Sequence, residues 1–313
     1  MQIEDLNVVL TVAELGSITA AATQLDMQTA TASAAVKRVE AYLGAPLFIR
    51  TTRRLRLSAI GASYLPQCQQ ALQTLAQAKQ AVQQEQGTMR GEVRLSVSSD
   101  LGRNLVMPWL DEWFDEHPEL SIRAHLSDTN VDFYRDNIDL ALRYGAPPDS
   151  SLYGFKICNV PRLLCASPAY LTAYGTPRVP DDLKQGHNGL FYQLRNILND
   201  AWQFYDGTGQ VYKVKPRSNR CANDGELVRR WCVAGKGIAV KSSLDISGDL
   251  LAGRLVPLMS DYQIEMGELW LIYPSKNITT PVIHLLRDRL RERTRALLTA
   301  LIERRLLPPE VLD

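Results

Sequence analysis

GSITAAATQLDMQTATASAAVKRVEAYLGAPLFIRTTRRLRLSAIG, residues 16–61, decides the reading of this 313-residue chain. Ser17 can cap a helix carrying Ala20, Ala21 and Ala22, small residues that let a second helix approach closely. A turn follows around residues 26–28, and the next helix runs from about Thr29 to about Leu43. Its apolar stripe is Ala32, Val36, Val39 and Leu43, which leaves Ala30, Ala34, Lys37, Arg38 and Ala41 facing away from a core. Gly44 ends it. Residues 47–50 and 55–57 then read as two strands around a turn at residues 51–54. Upstream, Leu6, Val9, Leu10 and Ala13 make one helical face that stops at Gly16. Three short helices followed by a basic hairpin outline a winged helix-turn-helix.

A helix face that is small at its start and basic further on suits a DNA groove. Small side chains let the helix sit deep and touch thymine methyls, while Lys37 and Arg38 reach phosphates or bases. Arg50, Arg53, Arg54 and Arg56 cluster in the hairpin, whereas residues 1–36 hold Glu4, Asp5, Glu14 and Asp26 and no Lys or Arg. The positive field is therefore local. A short charge run by itself is a solvated surface; behind a reading helix it predicts phosphate contact.

These residues resemble the LysR-type transcriptional regulators, whose N-terminal motif has the form GSF-AA---L----S-V---I--LE--LG--LF-R--R---LT-AG. Gly16, Ser17, Ala21, Ala22, Leu25, Ser33, Glu40, Leu43, Gly44, Leu47, Phe48, Arg50, Arg53 or Arg54, Leu57 and Gly61 fall at matching positions. Ile18, Val39, Ser58 and Ala34 depart from it, the last where many members carry a polar or basic residue. The resemblance implies that Gln28, Thr29, Thr31 and Ser33 meet the groove, with Arg38 on the backbone and Arg53 or Arg54 reaching from the wing.

From Ser58 to about Gln86 the chain is rich in Ala and Gln, with a four- and three-residue rhythm of Leu65, Cys68, Leu72, Leu75, Lys79 and Val82. That is the seam of a two-stranded coiled coil, with Lys79 setting register, and it predicts a homodimer. Two-fold pairing in turn predicts an imperfectly palindromic site in double-stranded promoter DNA.

GTMRGE, residues 87–92, is a hinge by composition, after which strands and helices alternate. Strands are expected at 93–97, 122–126 and 138–143, with helices at about 105–116 and 131–136 between them. This alternation implies an open α/β sheet, parallel pairing, and a ligand crevice at the carboxyl ends of the strands. A second such unit starts near Leu163, with LLCAS as strand, SPAYLTAYG as helix, GLFYQL as strand and a hairpin turn at Asp206 and Gly207. ANDGELVRRWCVAGKGIAV, residues 222–240, is a helix opening at Asn223 or Asp224 that passes through Gly235 and Gly237 into a strand. The layout resembles LysR-type effector domains, similar in fold to type 2 periplasmic solute-binding proteins. The resemblance implies a return to the first subdomain through a strand at 268–273 and a last helix from about Pro281. The expected division is a DNA-binding domain at 1–60, a linker helix and hinge at 61–90, and an effector domain at 91–313. The effector domain comprises two Rossmann-like subdomains, at about 91–162 with 267–313, and at about 163–266.

Ser98, Ser99, Leu101, Tyr144, Tyr192, Asn223 and Asp224 sit at loop or strand ends that should converge between these subdomains. Hydroxyls and helix-start N–H groups bind carboxylates, so a small organic anion is the expected effector, with Asp100 and Asp224 facing away or meeting an amine. Cys68, Cys158, Cys165, Cys221 and Cys232 match neither a zinc ribbon nor a redox CxxC pair. Reduced thiols are expected, with redox sensing through one of them as the alternative. GKG at 235–237 and GTG at 207–209 lack phosphate-loop spacing, and the four histidines form no HExxH pair; neither is there a GxSxG elbow. No catalytic residue, metal or cofactor is therefore assigned, and a metabolic enzyme or solute-binding protein is the remote alternative.

The apolar fraction of 45% supports ordinary cores, and a net charge of +1 is compatible with a basic reading head offset by a neutral or acidic effector module. The amphipathic, acidic start is unlike an export signal, and no apolar run is long enough to span a membrane. A cytoplasmic protein is expected. The last helix carries Arg287, Arg289, Arg291, Arg293 and Arg295 around a stripe of Leu286, Leu290, Leu297 and Leu301, which reads as a solvated or subunit-contacting face. The family layout implies a homotetramer that bends DNA under effector control.

Overall fold

Gly16 (φ 61°) and Gly44 (φ 66°) take the left-handed conformation that closes a helix, and so set the ends of α1 (Ile3–Leu15) and α3 (Thr29–Leu43). Between them α2 (Ile18–Gln24) starts at Ser17, whose hydroxyl accepts from the Ala20 N–H at 3.2 Å. The computed structural model describes residues 1–50, 55–85, 91–129, 131–133, 135–147, 151–194, 197–198, 200–274 and 281–312, except for the side chains of residues 50, 73, 76–77, 79–85, 194 and 197–198. Its chain divides into two units, Met1–Gln86 and Gly87–Asp313.

In the first unit Leu6, Val9 and Val12 of α1 pack on Ala21 and Ala22 of α2 and on Ala32, Ala35, Val36 and Val39 of α3. Leu10, Ala13 and Leu43 are only partly buried, so Val8, Val12 and Ala35 replace them in the centre. The wing strands β1 (Phe48–Arg50) and β2 (Leu55–Leu57) pair antiparallel, Ile49 opposite Arg56. Glu40 of α3 anchors them, its Oε1 accepting from the Leu47 N–H at 2.8 Å and the Phe48 N–H at 3.3 Å. Ser58 donates to the Pro46 carbonyl at 2.7 Å and accepts from the Gly61 N–H at 2.9 Å, which starts α4 (Ala59–Glu85).

The seam expected along α4 is divided. Leu65 and Cys68 are buried in the first unit's own core, with Leu72 partly buried beside them, whereas Leu75 is 52% exposed. The first turns of α4 lie on this chain's own helices, so only the later positions are free for a partner. The side chains of Lys79 and Val82 are outside the described residues.

Asp5 is buried on α1 beneath Arg38 of α3. Its carboxylate accepts from Arg38 Nη2 at 2.5 Å, from Nε at 3.2 Å and from the Gln2 N–H at 2.9 Å. The Arg38 hydrogen bond outweighs burial and holds the Asp5 carboxyl below the usual carboxylate range. A depressed folded pKa contributes stability that is present above the unfolded value of about 4 and is lost as pH falls through the folded value. Arg38→Ala is therefore expected to lower stability at neutral pH and to lose less on acidification than wild type. Denaturant titrations at neutral and acidic pH check this, and a stability gap between the two proteins that does not shrink in acid rules it out.

The second unit holds two mixed sheets. In the first, β3 (Gly91–Val97) pairs parallel with β4 (Leu120–Leu126) and with β5 (Leu140–Tyr144). Beyond them β6 (Tyr153–Val160) is reached through β15 (Gly267–Tyr273), which runs antiparallel to both β5 and β6, giving the order β4-β3-β5-β15-β6. The second sheet contains β7 (Arg162–Ala166), β8 (Asn188–Leu194), β12 (Arg217–Ala222), β13 (Ile238–Ser242) and β14 (Val256–Pro257) in the order β12-β8-β13-β7-β14. The short β9 (Ile197–Leu198) pairs with β8, and β10 (Trp202–Tyr205) and β11 (Val211–Val214) form the hairpin around Asp206. The expected parallel pairing holds for β3 with β4 and β5 and for β8 with β12 and β13, and is corrected elsewhere. The chain crosses back between the sheets, and β7, β14 and β15 enter against the direction of their neighbours.

Two further expectations change. The helix placed at 105–116 begins directly after β3 as α5 (Ser99–Leu101), passes through a π turn at Gly102–Val106, and continues as α6 (Met107–Glu116). Residues 131–132 are irregular and 133, 135 and 136 are turn residues rather than a helix. There the Asp136 carboxylate accepts from the Asp132 N–H and the Asp132 carboxylate from the Arg135 N–H, each side chain competing with the helical ladder.

The other helices are α7 (Pro168–Tyr174), α8 (Gly225–Val233), α9 (Ser247–Leu251) and α10 (Pro281–Glu303). The stripe of α10 is Leu286, Leu290, Thr294, Leu298 and Leu301, with Leu297 partly buried at its edge. Its arginines tie the unit together: Arg289 meets Glu116 at 3.0 Å, Arg293 meets Glu112, and Arg291 donates to the Lys156 carbonyl at 2.6 Å.

Candidate DNA interface and effector cavity

The reading surface starts where α3 starts. Gln28 is its N-cap with extended backbone, and Gln28, Thr29 and Thr31 are exposed, with Ser33 half-buried. Short polar side chains beside the uncapped N–H groups of a first turn can meet phosphates and base edges. Lys37 and Arg38 are exposed farther along. They differ in charge available to DNA, because Arg38 is committed to Asp5 while Lys37 has no ion pair among the described residues. Arg50 places its backbone opposite Leu55, but its side chain, together with Arg53 and Arg54, lies outside the described residues.

In the second unit a cavity of about 520 Å³ opens at the carboxyl ends of β3 and β5, between the two sheets. Ser98, Tyr144 and Tyr192 line it. The other proposed contacts stand elsewhere. Ser99 is 3% exposed and bonded inward, and Leu101 is completely buried in the core. Asn223 is exposed off the wall, and Asp224 caps α8 by accepting from the Leu227 N–H at 2.9 Å.

Three charged residues that sequence reasoning left out define the cavity floor: Lys241 on β13, Asp245 just beyond it, and Asp128 after β4. Lys241 Nζ donates to Asp100 Oδ2 at 2.6 Å and to the Gly225 carbonyl at 2.9 Å, and lies 3.6 Å from Asp245 Oδ2. Burial pulls the Lys241 ammonium down, but Asp245 and Asp100 outweigh it and hold its pKa above the ordinary value. Burial pushes the Asp245 carboxyl up to about 6 despite Lys241. Asp245 Oδ1 accepts from the Tyr144 hydroxyl at 2.6 Å, and that hydroxyl accepts from Ser242 Oγ at 2.9 Å. Burial, then Asp245, raises the Tyr144 pKa well above normal, so the phenol remains a donor. Arg229 braces the other side, donating to Asp100 at 3.1 Å and to Asp249 at 2.6 Å. The signal for Lys241 was in the sequence: a charged residue inside the apolar run GIAVKSS needs a buried partner.

Residues 3–62 match the family described as bacterial regulatory helix-turn-helix protein, lysR family, and residues 86–295 match the LysR substrate binding domain. The chain is a LysR-type transcriptional regulator. This regulator is 32% identical over 265 residues to an uncharacterized HTH-type transcriptional regulator of Haemophilus influenzae, covering 85% of this chain and 91% of that protein. It is also 32% identical to the HTH-type transcriptional regulator CrgA of Neisseria meningitidis serogroup C, over 82% of this chain and 85% of the other. Among solved structures it is similar to the full-length Vibrio cholerae virulence activator AphB, at 26% identity and a TM-score of 0.56, over 93% of this chain and 99% of that one.

This LysR-type regulator carries five free cysteines. Cys165 and Cys232 are completely buried with sulfurs 3.9 Å apart, and the Cys232 thiol hydrogen bond followed by burial raises the Cys165 pKa far above normal. Burial pushes the Cys158 thiol up to about 11. Protonated, enclosed thiols are poor nucleophiles, which weighs against the redox-sensing alternative at Cys158 and Cys165. No single helix among the described residues is long and apolar enough to cross a membrane.

Proposed function

We propose that this regulator works in the cytoplasm, binding promoter DNA as a homo-oligomer. It is paired through α4, doubled to a homotetramer through effector-domain contacts, and biased between assemblies by a small molecule in the cavity. The observation that carries the DNA contact is the exposed, short-chained first turn of α3 followed by Lys37, which has no ion pair among the described residues. In this reading Gln28, Thr29, Thr31 and Ser33 meet base edges, while Lys37, Arg38, Arg50, Arg53 and Arg54 hold phosphates. Leu75, exposed beyond the segment of α4 that packs on its own unit, supports pairing there. Control by a ligand requires that it bind two assemblies with different affinity. The relatives named above are regulators, and no catalytic role is assigned to this one.

The test is capture of genomic fragments by the purified protein, then binding of one fragment at several salt concentrations. Lys37→Ala is expected to weaken binding on all fragments alike and to lower the salt slope by about 1, and Arg53→Ala/Arg54→Ala by about 2. Captured fragments should share an imperfect palindrome. Fragments without a shared sequence, bound equally by all three proteins, would overturn the proposed interface.

A further inference from the structure

The helix-start donors that favour an organic anion in the cavity are already taken. Asp128 Oδ1 accepts from the Ser99 N–H at 2.7 Å, and its Oδ2 accepts from the Ser99 hydroxyl at 2.8 Å and from the Gly225 N–H at 2.7 Å. Ser99 opens the helix after β3, and Gly225 opens α8 under the second sheet, so one carboxylate bridges both halves of the cavity wall. Tyr192 faces the same group, and burial followed by Asp128 raises its pKa. Two backbone N–H groups and a hydroxyl closing on one carboxylate are the contacts a bound organic acid would make. Here the chain supplies that acid itself.

The remaining cavity wall is acidic. Beyond Asp128 its lining side chains include four carboxylates, of which Glu268 pairs with Lys156, against two cations, Lys241 and Arg162. Lys241 is occupied by Asp100 and the Gly225 carbonyl, and Arg162 is solvent-exposed. Asp245, its side chain 9% exposed, has its nearest ammonium at 3.6 Å and shares it with Asp100. Among the described residues no other cation pairs with Asp245. The Ser98 hydroxyl, on the same wall, is buried without a hydrogen-bond partner among the described residues.

We infer that Asp128 is a built-in anion filling the carboxylate position of the cavity, and that the effector is recognised instead through an amine, held by Asp245 beside Tyr144 and Ser98. This assignment replaces the organic anion expected from sequence and rests on the cavity being the effector site. An amine places a donor where the interior has spare acceptors, whereas a carboxylate would meet Asp128 and Asp245 at close range. Asp128 thereby determines specificity by exclusion.

Thermal unfolding of the full chain tests this with two matched probes, 1,4-diaminobutane and butanedioate, and with formate against chloride at equal ionic strength. Wild type is expected to gain about 3–6 °C from the diamine at ten times its Kd and nothing from butanedioate or formate. Asp128→Ala should melt lower and recover with formate, which refills the vacated donors, while chloride leaves it unchanged. Butanedioate stabilising wild type as well as the diamine does, or wild type indifferent to both, overturns the amine assignment. Asp128→Ala melting like wild type, or indifferent to formate, overturns the built-in anion. Should that variant fail to fold, Asp128→Asn keeps the shape without the charge and should admit butanedioate, and butanedioate stabilising Asp128→Asn no more than wild type would remove Asp128 from the selection. Because the readout is stability, a diamine response with unchanged DNA binding would leave this assignment standing and remove only the proposed ligand control.

Discussion

Gly61→Ala is expected to abolish DNA binding at physiological salt, although Gly61 touches no proposed DNA contact. A β-carbon at this position would collide with the carbonyl oxygen of Leu47, 3.2 Å from its carbon and 3.2 Å from Leu57 Cδ2. The obstacle is backbone at the root of the wing, so no rotamer change relieves it. Leu47 is completely buried and its carbonyl accepts from the Ser58 N–H at 2.9 Å, so moving it disturbs the junction between wing and α4. A cost of roughly 3 kcal/mol or more is at the upper end of overpacking effects. For a unit of this size it should lower the melting midpoint on the order of 10 °C. Calorimetry of the full chain, with gel-shift affinity beside it, checks the result. Gly207→Ala, with open space around it, serves as the neutral control. A Gly61→Ala protein that melts and binds like wild type would show that the wing root yields.

The second large effect is expected in the cavity floor. Lys241→Met removes the ammonium between two buried carboxylates, Asp100 and Asp245. Removing one partner of a buried ion pair costs about 3–5 kcal/mol, because the other is left charged in a poor solvent. Arg229 still serves Asp100, so Asp245 carries most of the penalty. The pH dependence follows from its pKa, pushed up to about 6 and therefore above the unfolded value. A raised carboxyl contributes stability that is present below the unfolded pKa of about 4 and is lost as pH rises through the folded value. The deficit of Lys241→Met should accordingly be larger at pH about 8 than at pH about 5, where protonation relieves the stranded charge. Adding Asp245→Asn should recover part of the loss. Denaturant midpoints at the two pH values decide it, and a deficit independent of both pH and Asp245 would mean that Lys241 acts through packing alone.

Local chemistry made the reading head legible. The caps at Ser17, Gly16 and Gly44 and the 3.6-residue rhythm of α3 act over a few residues, and the expected limits of that helix are those observed. The hairpin at Asp206 and the opening of α8 at Asp224 were readable for the same reason. Strand β6 went unread because GFKICNV has no clean alternation, and its partner β15 is more than a hundred residues away. The helix expected at 131–136 is absent from its described residues because periodicity does not register carboxylates, those of Asp132 and Asp136, that capture backbone N–H groups.

By itself, then, the sequence determined the winged helix-turn-helix, the long helix after it, the alternating grammar of the second unit and the family to which all of them belong. These depend on propensities, caps and periods that each short segment carries within itself. Only the tertiary structure decided that Arg38 is tied to Asp5, that Leu65 and Cys68 lie in their own unit's core, and that Asp128 occupies the donors of Ser99 and Gly225. Sequence shows that helix starts offer donors, but what fills them depends on which distant carboxylate the fold brings within 3 Å. In a buried site that proximity, rather than residue type, sets charge balance and the ligand chemistry the site accepts.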